Sequence, residues 1–265
     1  TESHGFELLK TFQVPYVAPD NPYLTFRIIN ELLAEGLKSE FYDRGVYPGH
    51  VVPVRPLNLM SKTPIRHPED LKGKKVVSFI NAPGAAESLG FAQVNMPFTE
   101  IYTALQQGLV DAVIWSDLGF LPFKIYEQAS YYTPLGVAPL TIETCINPRA
   151  FKRLPHAYQQ LFHDFQQRVG IALVHASEEF SKQAAVALKD HDVSILQLTE
   201  VERDQWRRAF QPVAKQWFDH CEKQGKSCRE LVESIARLTD KYQGFTNEQL
   251  IRLSLEQPVQ GIINF

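Results

Sequence analysis

The sequence predicts an α/β fold, on three observations. Residues 68–77 (PEDLKGKKVV) and 96–112 (MPFTEIYTALQQGLVDA) each read as a helical segment that runs into an apolar strand. Residues 156–189 carry Leu161, Phe165, Val169, Leu173, Ala176 and Phe180 in one running stripe, the pattern of a helix about 50 Å long. Residues 140–147 alternate with the period of a strand. Leu140, Ile142, Thr144 and Ile146 fall on one face, and Thr141, Glu143, Cys145 and Asn147 on the other.

The remaining elements follow in chain order. Residues 24–37 space their apolar side chains by three and four and stop at Gly36, so they read as a helix. Residues 41–54 carry Gly45, Pro48 and Gly49 and read as turns around short extended pieces; 57–61 is a short strand. Pro68 to Leu71 makes one helical turn closed by Gly73, and 75–79 is a buried strand. Asn81, Ala82, Pro83 and Gly84 form a turn, followed by a short helix to Gly90. Thr99 is the expected N-cap of the next helix, because its hydroxyl can accept from the free first-turn amides. Ile101, Tyr102 and Leu105 form the apolar face of that helix. Gly108 ends it by taking the left-handed conformation. Residues 109–115 then form a buried strand ending on Trp115.

Within the long helix, Gly170 marks a bend or a close helix contact. Residues 193–198 read as a strand. Thr199 with Glu202, and Thr246 with Gln249, are capping boxes. The helix after Thr199 holds Trp206, Phe210, Val213 and Trp217, and residues 257–265 read as extended.

With 265 residues, 44% of them hydrophobic, the chain can bury a core as one large or two smaller domains. Its 27 basic and 30 acidic residues give a formal charge of −3, without the basic surplus of a nucleic-acid binder. No apolar run of about 18 residues is present, so the chain is not expected to be membrane-embedded. The opening Thr1-Glu2-Ser3-His4 is polar, and no apolar signal segment follows it. The eight histidines lack metal-ligand spacing, and GxSxG, P-loop and GxGxxG motifs are missing; no metal, cofactor or catalytic residue is expected. Cys221 and Cys228 flank Gly225 in a short polar loop, either as a disulfide of modest stabilising effect or as two free thiols. Cys145 is expected to be a small buried hydrophobe.

The pair PEDLKGKK and MPFTEIYTALQQGLVDA resembles the core signature of the DctP-type solute-binding proteins of TRAP transporters, family 7 of the extracellular solute-binding proteins. The likeness continues through Lys124, Tyr126 and Glu127 and resumes at 146–151 (INPRAF) with Leu154-Pro155, covering residues from about 12 to about 222. The resemblance implies a two-lobe periplasmic-binding-protein fold with a long lobe-spanning helix. Residues 1–75, with part of 140–265, would belong to the first lobe, and 76–139 would be the core of the second. It also implies that the family's N-terminal part is missing here, a part that would supply half of the first lobe and one wall of the cleft.

Ligands of open α/β sheets bind beyond the carboxyl ends of strands. Trp115 and Asp117 follow one such strand, Ser78 and Asn81 another. Trp115 offers a flat apolar face and one N–H donor. Ser78 and Asn81 can hydrogen-bond a neutral or amide group, with plain turn chemistry as the alternative. Glu143 either faces the cleft, favouring a cationic or hydroxyl-bearing solute with help from Trp115, or is a paired edge residue. Phe98 either lines the cleft or joins the core. The family's carboxylate-gripping arginine is implied at the position that Val77 occupies, and no Arg lies between Arg66 and Arg149. A simple carboxylate is therefore expected to bind poorly. The function implied is a periplasmic solute-binding subunit that captures a small molecule and delivers it to a TRAP membrane permease. A sensor or scavenger of the same fold without a permease, or an enzyme with an unrecognised α/β site, are the alternatives.

Overall fold

The computed structural model describes residues 6–80 and 82–264. Helix α1 (Pro22–Leu32) starts where Asn21 accepts hydrogen bonds from the Tyr23 and Leu24 amides and Pro22 presets the first turn. It unwinds through a wide turn at Leu33–Leu37, broken by Gly36 at φ 153°, and α2 (Ser39–Tyr42) follows. Next comes β1 (Tyr47–Ser61), a strand of 15 residues.

Strand β2 (Lys75–Ser78), helix α3 (Ala85–Leu89), strand β3 (Ala92–Gln93), helix α4 (Ile101–Gln106) and strand β4 (Ala112–Ser116) form parallel helix-crossover units. Helix α5 (Asp117–Phe120) leads to β5 (Tyr131–Thr133), and β6 (Pro139–Ile146) to α6 (Pro148–Lys152). The chain ends with α7 (His156–Asp190), β7 (Ser194–Ile195), α8 (Glu200–Lys223), α9 (Cys228–Tyr242) and α10 (Asn247–Glu256).

The strands lie in the order β3-β2-β4-β1-β5-β7, and β6 pairs with β1 off this path. The last residues of β1 pair antiparallel with β4 and β5 (Leu59 opposite Ile114 and Thr133), while its earlier residues pair with β6 (Val52 opposite Ile142). One strand therefore serves two sheets. The sequence reading broke it into turns and a short strand on the strength of Gly45, Pro48 and Gly49, and β1 itself holds Pro48, Gly49, Pro53 and Pro56. These residues stay within the strand, and the register against β6 shifts between Pro48 and Val51 and again between Pro53 and Pro56. Such irregularities are where a sheet tolerates a missing N–H.

Three buried clusters result. One gathers α1, the early half of β1, and Phe151, Ile171, Val174, Ile235 and Leu238. The other two lie on opposite faces of the larger sheet. Leu59, Val76 and Ile114 pack against Trp206, Phe210 and Val213 of α8; Met60, Val77 and Val113 pack against Ile101, Leu105 and Phe120. Among the described residues, only β1 and α7 contribute buried residues both to the first cluster and to the clusters of the larger sheet, α7 through Ile171 and Val174 at one end and Leu188 at the other.

The long helix has the expected extent but docks by another face. Leu161 and Phe165 of the predicted stripe are 62% and 55% exposed, and Leu173 is exposed as well. The buried side carries Gly170, Ile171, Val174, Ser177, Ser181 and Ala184. The reason is closeness: a Cβ on Gly170 would lie 2.5 Å from the Phe26 ring of α1, so small side chains must face inward.

Three local expectations also change. Thr99 sits inside a 3-10 turn (Phe98–Glu100) that leads into α4, and no side chain caps that helix. Cys145 is exposed. Leu109 is exposed and precedes β4 instead of opening it. Both capping boxes form, Gly108 takes φ +71°, and Cys221 and Cys228 are disulfide-bonded across the turn between α8 and α9.

Gly170→Ala is expected to destabilise the fold by about 1–3 kcal/mol in urea unfolding, in spite of alanine's better helix propensity. Gly244→Ala, with nothing within 4 Å of the added methyl, should stay within about 0.5 kcal/mol of the parent. Mass spectrometry without reductant should find Cys221 linked to Cys228, with Cys145 alone open to alkylation.

Candidate functional site

Strands β2 and β4 run side by side and end together, with Ser78 opposite Ile114, and the Phe79 amide donates to the Ile114 carbonyl at 3.0 Å. This pairing sets the first side chain beyond β2 next to the end of β4. The Trp115 ring stacks on Phe79 at 4.7 Å (18° between planes) and on Phe123 at 5.3 Å (26°). Phe98 meets Phe123 edge-on at 5.2 Å and lies 6.4 Å from Trp115. Gly119 makes room for the indole, since a Cβ there would lie 2.3 Å from the ring. Trp115 is half-buried and Phe98 is 50% exposed, so the cluster shows aromatic surface to solvent at the carboxyl edge of the sheet.

Of the residues singled out from sequence, the structure brings Trp115 and Phe98 together. Ser78 is half-buried at the same edge, its hydroxyl accepting from the Ile80 amide at 3.3 Å. Asn81 lies outside the described residues. Asp117 is buried and turned toward β1 and β5. Its Oδ1 accepts from Asn58 Nδ2 at 2.8 Å and from the Tyr132 hydroxyl at 2.9 Å, and Asn58 Oδ1 accepts from the Gly136 amide at 3.1 Å. Burial pushes the Asp117 carboxyl above its usual range, against the pull of these two donors and of Arg55. Glu143 sits on β6 opposite Val51 and accepts from the Thr141 hydroxyl, which itself accepts from Gln13 Nε2 at 2.6 Å. Burial raises the Glu143 carboxyl, and the Thr141 bond opposes it.

Three residues escaped the sequence reading. Phe79 and Phe123 complete the aromatic group; an aromatic one step past a strand end was the available signal for Phe79. Arg55 was hidden between prolines. Its Nε lies 3.3 Å from Glu178 Oε1, an ion pair that ties β1 to α7. Burial raises the Glu178 carboxyl, and Arg55 is the largest influence lowering it. Beside it, Val54, Leu118, Ile142, Leu173 and Phe180 line an apolar hollow of about 280 Å³. Val77 is 3% exposed and packs in the core. Among the described residues, no group of three or more His, Cys, Asp or Glu could hold a metal ion.

Two packed bodies joined by a shared strand and a long helix, with aromatic surface at the sheet's carboxyl edge, define the two-lobe binding-protein class. The match to the family model of the bacterial extracellular solute-binding proteins, family 7 (DctP), runs over residues 3–220, and the chain belongs to that family. It is similar to protein YiiZ of Salmonella typhimurium, 28% identical over 227 residues, which are 78% of this chain and 61% of YiiZ. It is also similar to the 2,3-diketo-L-gulonate-binding periplasmic protein YiaO of Escherichia coli, 26% identical over 66% of this chain and 53% of YiaO. The chain thus spans less than two thirds of either relative.

Among solved structures, a TRAP periplasmic solute-binding protein of Desulfovibrio salexigens with bound orotic acid superposes with a TM-score of 0.77 at 23% identity, over 88% of this chain and 76% of that one. A marine metagenome TRAP solute-binding protein specific for aromatic acids, in complex with metahydroxyphenylacetate, gives 0.78 at 19% identity, over 91% and 77%. These likenesses establish the two-lobe α/β fold. No described helix is long and apolar enough to cross a membrane.

Asp117→Asn keeps an oxygen for both donors and removes the buried charge. The wild-type carboxyl is raised in the folded chain, so its contribution to stability falls as pH rises from the unfolded value, about 3.9, through the folded one. The variant should equal or exceed wild type in urea midpoint at pH 7, the difference closing toward pH 4. Asp117→Ala leaves Asn58 and Tyr132 without their acceptor and should lose about 1–3 kcal/mol.

Proposed function

We propose that this chain is the periplasmic solute-binding part of a TRAP-type transporter. It captures a small molecule between its lobes by hinge closure and hands it to a membrane permease, without chemistry on the ligand. Family membership supports the class of activity. The observation that carries the binding mode is the stack of Trp115 on Phe79 and Phe123, with Phe98 beside it, at the carboxyl edge of β2 and β4.

The proposed lobe division follows the packed cores. Residues 76–139 stay in the second lobe; 57–75 and α8 join it through Leu59, Leu71 and Trp206, and the first lobe keeps α1, α9 and α10. Strand β1 and helix α7 then carry the hinge, and the Arg55–Glu178 pair lies across it. Orotic acid and metahydroxyphenylacetate, bound by two structural neighbours, each carry a flat ring, and a stacked aromatic wall suits a flat ring. At the position where the family resemblance implied a carboxylate-gripping arginine, Val77 supplies no charge. The solute proposed for this wall is neutral or cationic with a flat apolar face.

A thermal-shift panel of small neutral, cationic and acidic ring compounds, followed by small-angle scattering on the best hit, tests this reading. The hit should raise the melting temperature by mass action and shrink the radius of gyration. Trp115→Ala should weaken it by about 1–3 kcal/mol, the loss of a buried aromatic contact. An unchanged radius at saturation would sink the hinge model, and undiminished binding by Trp115→Ala would move the site elsewhere.

A further inference from the structure

We propose that a cavity between residues 16–20 and α8 is a second binding site, taking a small organic anion on Arg203 and Arg207. The cavity holds about 260 Å³, near the low end of the ~300–1,000 Å³ typical of small-molecule sites and too large for a bare ion alone. Its walls come from both lobes. Tyr16 and Asp20 precede α1, Pro56 and Pro139 belong to the strands that cross, and the two arginines stand on the first turns of α8.

Tyr16 gives the site its built character. It holds φ 60°, a conformation costly for a bulky residue and seldom kept without a structural reason. Its amide donates to the Val137 carbonyl at 2.9 Å, and its ring packs edge-on to Phe210 at 5.9 Å. The hydroxyl has no hydrogen-bond partner among the described residues, and burial pushes its pKa up to about 12, so it remains a donor at any working pH.

The guanidinium groups keep donors to spare. Arg203 pairs with Glu200 at 3.6 Å and Arg207 with Asp204 at 2.7 Å, both one helical turn away and both partly exposed. Such pairs are weak, and each guanidinium has five N–H donors. Among the described residues Asp20 is the one carboxylate in the lining, beside two guanidiniums whose own partners, Glu200 and Asp204, stand outside it. A carboxylate or phosphate group matches the planar fork of arginine, and the Tyr16 hydroxyl adds a neutral donor. Because both lobes contribute walls, a bound anion acts on the angle between them and is coupled to whatever the aromatic edge binds. The site does not rest on the transport reading.

Calorimetric titration at low ionic strength tests it, with succinate, citrate and inorganic phosphate as probes and uncharged succinamide as control. Succinate or citrate should bind and succinamide should not. The double variant Arg203→Gln/Arg207→Gln should bind at least about tenfold more weakly at an unchanged melting temperature. Arg203→Lys/Arg207→Lys, which keeps the charge and loses the fork, should fall between. Trp115→Ala should leave the titration unchanged. Phosphate binding as tightly as the dicarboxylates, with the same arginine dependence, would support the site and name a free oxyanion as its occupant. Failure of all three anions to bind at millimolar concentration, or undiminished binding by the double glutamine variant, overturns the proposal. A loss in Trp115→Ala equal to that of the arginine variant overturns it as a separate site.

Discussion

The rest of the structure depends on β1 being continuous. Its early residues hydrogen-bond β6 beside the α1 core, and its last residues sit between β4 and β5 in the larger sheet. A backbone paired at both ends cannot slide, so any relative motion of the lobes would have to be absorbed by bending and twisting where pairing is weakest. That stretch is the one around Pro53 and Pro56, where the register against β6 shifts and the prolines offer no N–H. The site follows from the same constraint. Because β4 is aligned on β1 and β2 on β4, the ends carrying Trp115 and Phe79 are set side by side before any ligand arrives.

Helix α7 is the second tie, and its chemistry is complementary. It lies against the rest of the protein through Ile171, Val174 and Leu188 interleaved with Gly170, Ser177, Ser181 and Ala184, and the glycine lets α1 come close. Small side chains make a close contact of limited apolar area. The ion pair between α7 and β1, Arg55 with Glu178, is partly exposed on the arginine side and is correspondingly modest. A helix and a strand that both run from one core to the other give the lobes two shared elements about which a rotation would turn.

Much of this was legible in the sequence where a local signal has one physical outcome. The capping boxes, Gly108 and the α4–β4 unit are set within a few residues by hydrogen bonding and backbone sterics, and they formed as read, apart from the cap at Thr99 and the start of the strand, which Leu109 precedes. What failed was decided at long range. Proline and glycine in β1 imitate turns, and only pairing with β6 and β4 holds them extended. The apolar stripe of α7 gave the right helix and the wrong face, because the close approach of Phe26 outweighs the hydrophobicity of Leu161 and Phe165. At the candidate site, strand-end logic pointed to Trp115, which the structure stacks between neighbouring rings. It left Phe79 and Phe123 unread, since stacking depends on how neighbouring elements are aligned. Asp117 follows a strand end, and its partners Asn58 and Tyr132 are set by tertiary packing; Glu143 sits mid-strand and bonds Thr141 two residues back on the same face, while Gln13 reaches Thr141 only in the folded chain.

The shared strand also has a bearing on how the chain folds. Tyr47 pairs with Ile146, and Leu57 with Ser116, so each half of β1 waits for residues made much later. Closing those long loops costs entropy before either sheet repays it. Neither lobe has its central strand secured until the other has begun to form, which ties the two cores into one cooperative unit. Two cores that pack separately in the finished protein must then be assembled together.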